Sequence, residues 1–393
     1  MHRRHFLQGL TGATLALMLP GLRARAANGA GNDTLWVFVD ANGGWDPTLF
    51  CDPHTHSDFV TPSLFGASDL LENAQGVTYA PYEAGSPYLV NGDDFFATHG
   101  HHLRVINGLD AGTNNHDVGS RHIWSGTMAA GNPAFGALLA ATRSNGAPGT
   151  LPLAYLTNGG YDTTDQLVPA TRIGNEKPLL RLTHTNRRFP KQPDKLTFHP
   201  EVLDAVLAQQ AVRTARLVEE QGLPQIRKAL AGLASAREEE TSLAALLETL
   251  DAIPELSSSA TSPLLEPARI GLAAMAAGIC TSLNLSLRGF DTHGGHDLGD
   301  GQQGGHRPRL QEVFEAIDYV LTQGAALGLA DRLVVVATSD FGRTRYNAPN
   351  LQIGDASNGV GKDHWPITSM VFAGGILAVH YEGSGTERKE GRK

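Results

Sequence analysis

The pattern of apolar and polar segments along the chain predicts an α/β protein. Three short apolar runs, 34–39, 283–287 and 333–337, have the composition of buried parallel strands. Each run ends at an acidic loop. Two further strands are predicted at 103–106 and 367–373, each followed by turn residues.

Helical periodicity occupies much of the sequence between these runs. Segment 307–324 places its apolar side chains on one face, as expected for a helix that packs on a sheet. That face consists of Leu310, Val313, Phe314, Ile317, Val320 and Leu321. Residues 264–282 predict a second helix that leads into the strand at 283. Residues 199–253 differ from the flanking sequence in being rich in Ala, Leu, Glu and Gln. This composition predicts a helical subdomain, inserted into the α/β domain at about 199–262.

The first 26 residues have the features of an export signal. Arg3 and Arg4 precede an apolar stretch at 9–22, which is short for a membrane span, and small residues around 24–26 suit a cleavage site. The order resembles a twin-arginine signal; a basic N-terminus before a core helix is the alternative reading. The expectation is export by the Tat translocase to the periplasm or the extracellular space, with no integral membrane segment in the mature chain.

The negative net charge argues against two classes of binding partner. The formal charge is -9 at pH 7, and the first 26 residues contain four arginines and no acid, so the mature chain is more acidic still. Nucleic acid and anionic membrane surfaces are therefore not expected as main partners. Cys51 and Cys280 could form one disulfide or remain two buried thiols. The predicted α/β domain spans 27–380, and the polar segment 381–393 predicts a disordered tail.

The candidate chemistry lies in the loops that follow the predicted strands. In an open parallel sheet, ligands bind outside the carboxyl ends of the strands. Carboxylate and imidazole side chains there form a ligand set for divalent zinc, manganese or calcium. Each alone is also explained as a helix cap, a turn residue or a solvated loop histidine. In chain order the polar side chains of these loops are Asp40, Asp46, Asp291, His293, His296, Asp340, Arg343, Asp363 and His364.

Five ordered motifs carry a family resemblance. The motifs RRHFLQG, NGGWDPT, NHDVGSRHIWSGT, LRGFDTHGGHD and TSDFGRT with GKDHW follow one another as in the DUF1501 family, secreted bacterial proteins of uncharacterised activity. That family resembles a branch of the alkaline phosphatase and sulfatase superfamily. The resemblance covers roughly Arg3 to Gly375. It implies a doubly wound, mainly parallel sheet with a metal centre at strand ends, and hydrolysis of phosphate or sulfate esters of small molecules or glycans.

The resemblance also assigns roles to individual residues. The implied metal ligands are Asp46, Asp291, His293, His296, Asp340 and His364. Beside these, the candidate catalytic residues are Thr48, His116, Ser120 and Arg343. For His116 a ligand, a general base and a loop histidine remain alternatives. Arg343 has the fork geometry that holds an oxyanion at two oxygens, with a surface ion pair as the alternative.

Three departures from the superfamily pattern bear on activity. Phe341 follows Asp340 where the superfamily has a metal-binding histidine, so a complete two-metal site is not predicted. Thr48, Thr113 and Ser120 are all candidate nucleophiles, and none has an evident activating neighbour. The chain also ends soon after the strand at 367–373, where the family continues. The prediction is a metal-dependent hydrolase; the alternative is a non-catalytic cell-surface or periplasmic binding or structural protein.

Overall fold

A computed structural model describes most of the chain between Thr34 and Gly375. The predicted signal (1–26) and tail (381–393) lie outside the described residues, and at 71–72, 240–245 and 345–346 only the backbone is described. The described residues are 34–53, 71–72, 76–80, 90, 92–143, 151, 153–174, 186–189, 192, 194–227, 230, 240–257, 261–296, 305–346 and 361–375.

The chain is mixed α/β and divides into two compact units. The first unit comprises 1–119 and 288–393, and the second comprises 120–287. Seven strands make up the mostly parallel central sheet. The first unit contains β1 (Leu35–Asn42), β2 (Leu71–Glu72), β3 (Thr78–Tyr79), α1 (Gly92–His99), β4 (Leu103–Asp110), α7 (His306–Ala326), β8 (Leu333–Thr338), β9 (Gly342–Tyr346), β10 (Lys362–Trp365) and β11 (Ile367–Ala373). The second contains α3 (Phe135–Arg143), β5 (Tyr155–Thr157), β6 (Ala170–Arg172), α4 (Pro200–Glu220), α5 (Glu240–Ala252) and α6 (Leu265–Ala276). Helix α2 (His116–Ser125) and strand β7 (Ser282–Arg288) run across the boundaries.

All five predicted strands are present. In the first unit the order is β4-β11-β8-β1, and in the second it is β7-β5-β6. Strand β1 pairs in parallel with β8, from Leu35 opposite Leu333 to Asp40 opposite Thr338. Strand β11 is antiparallel to both β8 and β4. The side chains of β8 are buried along its whole length, which explains its continuous apolar sequence.

The predicted apolar face of α7 packs into the core as expected. All six of its apolar residues are buried. Phe314 lies among three other buried rings, with centroid distances of 5.2 Å to Phe50, 5.1 Å to Phe95 and 5.7 Å to Phe96. This cluster ties α7 to α1 and to the turn after β1. It holds the helix whose first residue, His306, takes part in the network described below.

Helix α6 is shorter than the sequence predicts. The prediction of a helix through residue 282 is wrong beyond Ala276, because the chain turns at Gly278 with φ +75°. Glycine adopts that left-handed conformation without steric cost and commonly ends helices. Strand β7 then begins at Ser282.

The region predicted as a helical insertion contains α4 and α5 of the second unit. Helix α4 is largely exposed. Among the described helices, none combines the length and the apolar character needed to cross a bilayer. Cys51 and Cys280 are both free and buried, as expected for the alternative in which they remain two buried thiols.

The aromatic cluster around α7 generates a stability prediction. Replacing Phe314 by alanine should lower the free energy of unfolding of the first unit by about 3–5 kcal/mol, because it removes a fully buried ring and leaves a cavity. Urea denaturation followed by tryptophan fluorescence measures the change. Ile106→Ala, also in the first unit, truncates a side chain that is 39% exposed and should change the value by less than about 1 kcal/mol. Equal effects would contradict this account of the core.

Candidate metal centre

The ends of β1 and β8 are tied together by glycine N–H groups and one carboxylate. Because the two strands are parallel, their carboxyl ends meet at one edge of the sheet. The N–H groups of Gly43 and Gly44 donate to Asp340 Oδ1 at 3.1 and 2.6 Å. Both glycines have positive φ, and a Cβ on Gly43 would lie 2.6 Å from the backbone nitrogen of Asp291. The Gly-Gly pair therefore brings the loops after β1, β7 and β8 into contact.

Asp340 orients the ring of His116. Its Oδ2 accepts a hydrogen bond from His116 Nδ1 at 2.5 Å. Its Oδ1 also accepts from the Ser339 hydroxyl at 2.8 Å, so both oxygens of this buried carboxylate are engaged. Because an ionised carboxylate only accepts, Nδ1 carries the ring proton. In the neutral ring, Nε2 then keeps its lone pair.

The same arrangement fixes two further imidazoles. His364 Nδ1 donates to the carbonyl oxygen of Asn114 at 2.8 Å. His293 Nδ1 donates to Asp363 Oδ1 at 2.9 Å. Both partners are acceptors, so in the neutral form each ring also keeps its lone pair on Nε2. A carboxylate or a backbone carbonyl on the far nitrogen is the usual support of a metal-binding histidine.

The three Nε2 atoms converge on Asp291. Its Oδ1 lies 3.0 Å from Nε2 of both His293 and His364, and its Oδ2 lies 3.4 Å from Nε2 of His116. The Nε2 atoms of His293 and His364 are 2.9 Å apart. Lone pairs at such distances repel unless positive charge lies between them. A shared proton satisfies one pair of acceptors at a time, whereas a metal ion can satisfy several of them at once.

The spacing of these atoms fits a first-row divalent ion. One ligand atom from each of His116, Asp291 and His364 lies within 4.8 Å of the others. Neighbouring ligands of a tetrahedral ion with bonds of about 2.0–2.1 Å are about 3.3 Å apart, close to the distances found here. Imidazole nitrogen is a common ligand of transition metals, whereas calcium takes oxygen ligands. These four residues form a candidate metal centre, called the metal centre below.

The metal centre is open to solvent on one side. The side chains of Asp291 and His293 are 45% and 48% exposed. His116 and His364 are half-buried, and the ring of Phe341 lies against both, at centroid distances of 4.7 and 4.6 Å. Phe341 is fully buried, so it forms an apolar wall behind the ligands. A site with this exposure has room for a water molecule or a substrate beside the ion.

Arg343 holds Asp291 in place. Its Nη2 donates to Asp291 Oδ1 at 2.7 Å, to the carbonyl of Phe290 at 2.8 Å, and to the carbonyl of Gly43. Its Nε and Nη1 donate to the carbonyls of Gly44 and Lys362. The guanidinium is thus engaged on every nitrogen. The predicted role of Arg343 in holding an oxyanion stays a prediction, and its contacts here are those of a positioning residue.

Charge around the metal centre shifts two pKa values. Burial raises the pKa of Asp291, but the hydrogen bond and the charge of Arg343, together with the contact to His364, outweigh it and hold the pKa below its usual range. The hydrogen bond to Asp340 raises the pKa of His116, with burial acting in the opposite direction. Asp291 is therefore ionised at neutral pH and available as an anionic ligand.

A buried network packs beneath the metal centre. Asp46 Oδ2 accepts from Lys362 Nζ at 2.6 Å and from His296 Nε2 at 2.9 Å. The N–H of Asp46 donates to His306 Nε2 at 2.7 Å, and the Thr292 hydroxyl lies 2.6 Å from His296 Nδ1 and 3.0 Å from His306 Nδ1. All five residues are buried. Thr292 lies between Asp291 and His293 in the sequence, and Lys362 lies two residues before His364.

Burial and charge set the protonation of this network. Burial raises the pKa of Asp46, but the Lys362 charge and the His296 hydrogen bond outweigh it and keep the pKa well below the usual range. Burial lowers the pKa of His306 well below its usual value, with the His296 charge acting in the same direction. A neutral His306 can accept the Asp46 N–H at Nε2. The network thus clamps the loop after β1 to the loops that carry the metal centre.

The structure brings some of the predicted site residues together and places others elsewhere. His116, Asp291, His293 and His364 form the metal centre, and Asp340 supports it. Asp46 and His296, also predicted as ligands, have their contacts in the buried network; ligation by them stays a prediction.

The candidate nucleophiles have local contacts. The Thr48 hydroxyl donates to Asp46 Oδ1 at 2.7 Å and accepts from Lys362 Nζ at 3.3 Å. Thr113 Oγ1 accepts the N–H of Asn115, and Ser120 is a buried residue of α2. Their roles as nucleophiles stay predictions.

Sequence reasoning did not single out Lys362, His306 or the Asn114 carbonyl. A lysine beside Asp363 reads as a solvated loop residue, and a backbone carbonyl carries no sequence signal. His306 opens a helix, where a histidine is unremarkable in composition. The available signal for Lys362 was its place within the motif GKDHW, and His306 had none in the motifs.

The comparisons with known proteins address the same part of the chain. The model of the family described as "Protein of unknown function (DUF1501)" matches residues 274–379. This segment carries the DUF1501 pattern. It includes Asp291, His293, Asp340 and His364, and the match supports the resemblance found from the motifs. No curated protein matches the sequence.

The hydrogen bond between Asp340 and His116 predicts that metal affinity depends on Asp340. Asp340→Asn should weaken metal binding by about 10–100-fold, because it removes the charged acceptor that orients the His116 ring. Competition with a chromophoric chelator measures the affinity. Asp318→Asn is the matched control, since Asp318 pairs with His99 at 2.8 Å in the same unit. Unchanged affinity in Asp340→Asn would argue against His116 as a ligand.

Proposed function

We propose that the protein is an exported, metal-dependent hydrolase of phosphate or sulfate esters. The observation that carries the proposal is the convergence of three imidazole Nε2 atoms and the Asp291 carboxylate, each ring supported at Nδ1 by an acceptor. A metal centre that is open on one side suits catalysis better than a purely structural role. Zinc is the ion that the ligand set favours.

The ester class and the location come from the resemblance. The motif order is similar to that of DUF1501 proteins, and through them to the alkaline phosphatase and sulfatase superfamily, whose doubly wound architecture we propose for this chain. The parallel pairing of β1 and β8 and the site at their carboxyl ends support that proposal. The paired arginines near the N-terminus support export through the Tat system.

Each residue of the metal centre has a defined task in this proposal. A bound divalent ion would polarise the ester and lower the pKa of water. His116, Asp291, His293 and His364 would hold the ion, while Arg343 and Asp340 fix Asp291 and His116. Phe341 keeps water away from the inner side of the rings. In the reaction, water oxygen adds to phosphorus or sulfur, the ester oxygen leaves, and it takes up a proton that water has released.

The direct test combines metal content with turnover. Protein purified after folding in the cytoplasm should contain about one equivalent of metal, as elemental analysis would show, and should cleave nitrophenyl phosphate or sulfate esters. His364→Ala should lose both, because it removes a ligand. His101→Ala, which removes an exposed imidazole from the same unit, should retain both.

Two results would count against the proposal in different ways. Metal retained in full by both His364→Ala and Asp291→Ala would contradict the metal centre. Metal bound without turnover of any ester would instead favour the non-catalytic alternative, a cell-surface or periplasmic binding protein.

A further inference from the structure

The charge around the metal centre bears on which esters it can bind. A divalent ion held by one carboxylate and three neutral imidazoles leaves one net positive charge. Asp363, hydrogen-bonded to His293, adds a carboxylate that is 59% exposed. Asp117 follows His116 directly and is also exposed. A ligand at the metal centre therefore meets one positive charge beside the Asp363 carboxylate; this carboxylate and that of Asp117 are called the acidic rim below.

The described cationic side chains beside the metal-centre loops already have acceptors. Arg343 donates to Asp291 and to backbone carbonyls, and Lys362 Nζ is paired with Asp46 inside the core. Arg309, whose side chain lies beside Gly289, donates to Glu312 at 2.6 Å. Each of the three is thus engaged with an acceptor rather than with a ligand at the open side of the metal centre.

The described parts of the loops that carry the metal-centre residues are also acidic. Residues 40–53, 105–119, 289–296 and 361–364 contain seven aspartates, one lysine, Lys362, and no arginine. Strand β9 adds Arg343 and Arg345; the side chain of Arg345 lies outside the described residues. Sites that bind multiply charged phosphates ordinarily present arginine or lysine forks to the anion.

We infer that the ester bound at this metal centre carries a single negative charge, as a phosphate diester or a sulfate ester does, rather than the double charge of a phosphate monoester. The inference rests on the proposed function and deepens it. One negative charge balances the net charge of the ion and its ligands. A second charge would face the carboxylates of the rim in a partly desolvated setting.

Binding measured by calorimetry tests the inference without relying on turnover. The probes are methyl phosphate, dimethyl phosphate and methyl sulfate, offered to the zinc-loaded protein at a pH where methyl phosphate is a dianion. Dimethyl phosphate and methyl sulfate should each bind more tightly than methyl phosphate. The two monoanions distinguish the diester from the sulfate source. Tighter binding of methyl phosphate than of both monoanions would overturn the inference.

A variant that removes one carboxylate tests whether the acidic rim causes the preference for monoanions. Asp363→Asn also weakens the support of His293, so it is compared at saturating zinc. It removes one rim charge and should tighten methyl phosphate binding roughly fivefold to tenfold and monoanion binding by less. Asp331→Asn is the matched control, because Asp331 is exposed and precedes β8, at the opposite end of that strand from Asp340. Equal gains in both variants would overturn the rim argument. So would loss of methyl phosphate binding in Arg345→Gln, since that arginine would then supply the second cation.

Turnover separates this inference from the proposed function. Nitrophenyl sulfate and bis-nitrophenyl phosphate should be cleaved faster than nitrophenyl phosphate. Cleavage of the monoester alone would retain the hydrolase and overturn the charge preference. If the monoanions bind more tightly but no ester is cleaved, the charge preference is upheld and the hydrolase is not.

Discussion

The arrangement of the site depends on the hydrogen bonds at the Nδ1 atoms of three histidines. Asp340, Asp363 and the Asn114 carbonyl each accept one of these bonds, and each bond leaves a ring with its Nε2 lone pair toward Asp291. Without them the rings could rotate or change tautomer, and three Nε2 atoms would not remain within 3.4 Å of the Asp291 carboxylate. Asn114 lies between β4 and α2, Asp340 follows β8 and Asp363 lies in β10, so the fold itself holds the rings.

Two buried groups transmit that constraint to the body of the first unit. Arg343 joins the carbonyls of the Gly43–Gly44 turn to Asp291, and the Asp46–Lys362 pair joins the turn after β1 to the strand that carries His364. Breaking a buried charge pair by removing one partner is costly, because the remaining charge is left without compensation in a poor solvent for ions. The loops are thereby held by charge pairs as well as by packing.

The sequence predicts the strands and helices of this structure well and the contacts between polar side chains less well. Apolar runs located all five predicted strands, and a single helical face identified the buried side of α7, because burial on a sheet leaves a periodic signal. The sequence also predicted that the acids and imidazoles of the loops lie close together, because the carboxyl ends of parallel strands meet at one edge of a sheet. Helix α6 was predicted too long because one glycine ends it in a conformation that periodicity does not reveal.

Residue type alone could not show which polar side chains line the metal centre and which hold other side chains in place. Asp46 and Asp291 both follow predicted strands, yet one lies buried against Lys362 and the other stands half-exposed among imidazoles. Which acid meets which base depends on tertiary distances. The same holds for Arg343, whose guanidinium serves the backbone of three loops.

The most direct measurement of the central claim is anomalous diffraction at the zinc edge from crystals of the zinc-loaded protein. The account predicts one strong peak within about 2.0–2.2 Å of Asp291 and of Nε2 atoms from His116 and His364. A peak at Asp46 and His296 instead, or no peak in protein that elemental analysis shows to contain zinc in solution, would contradict it.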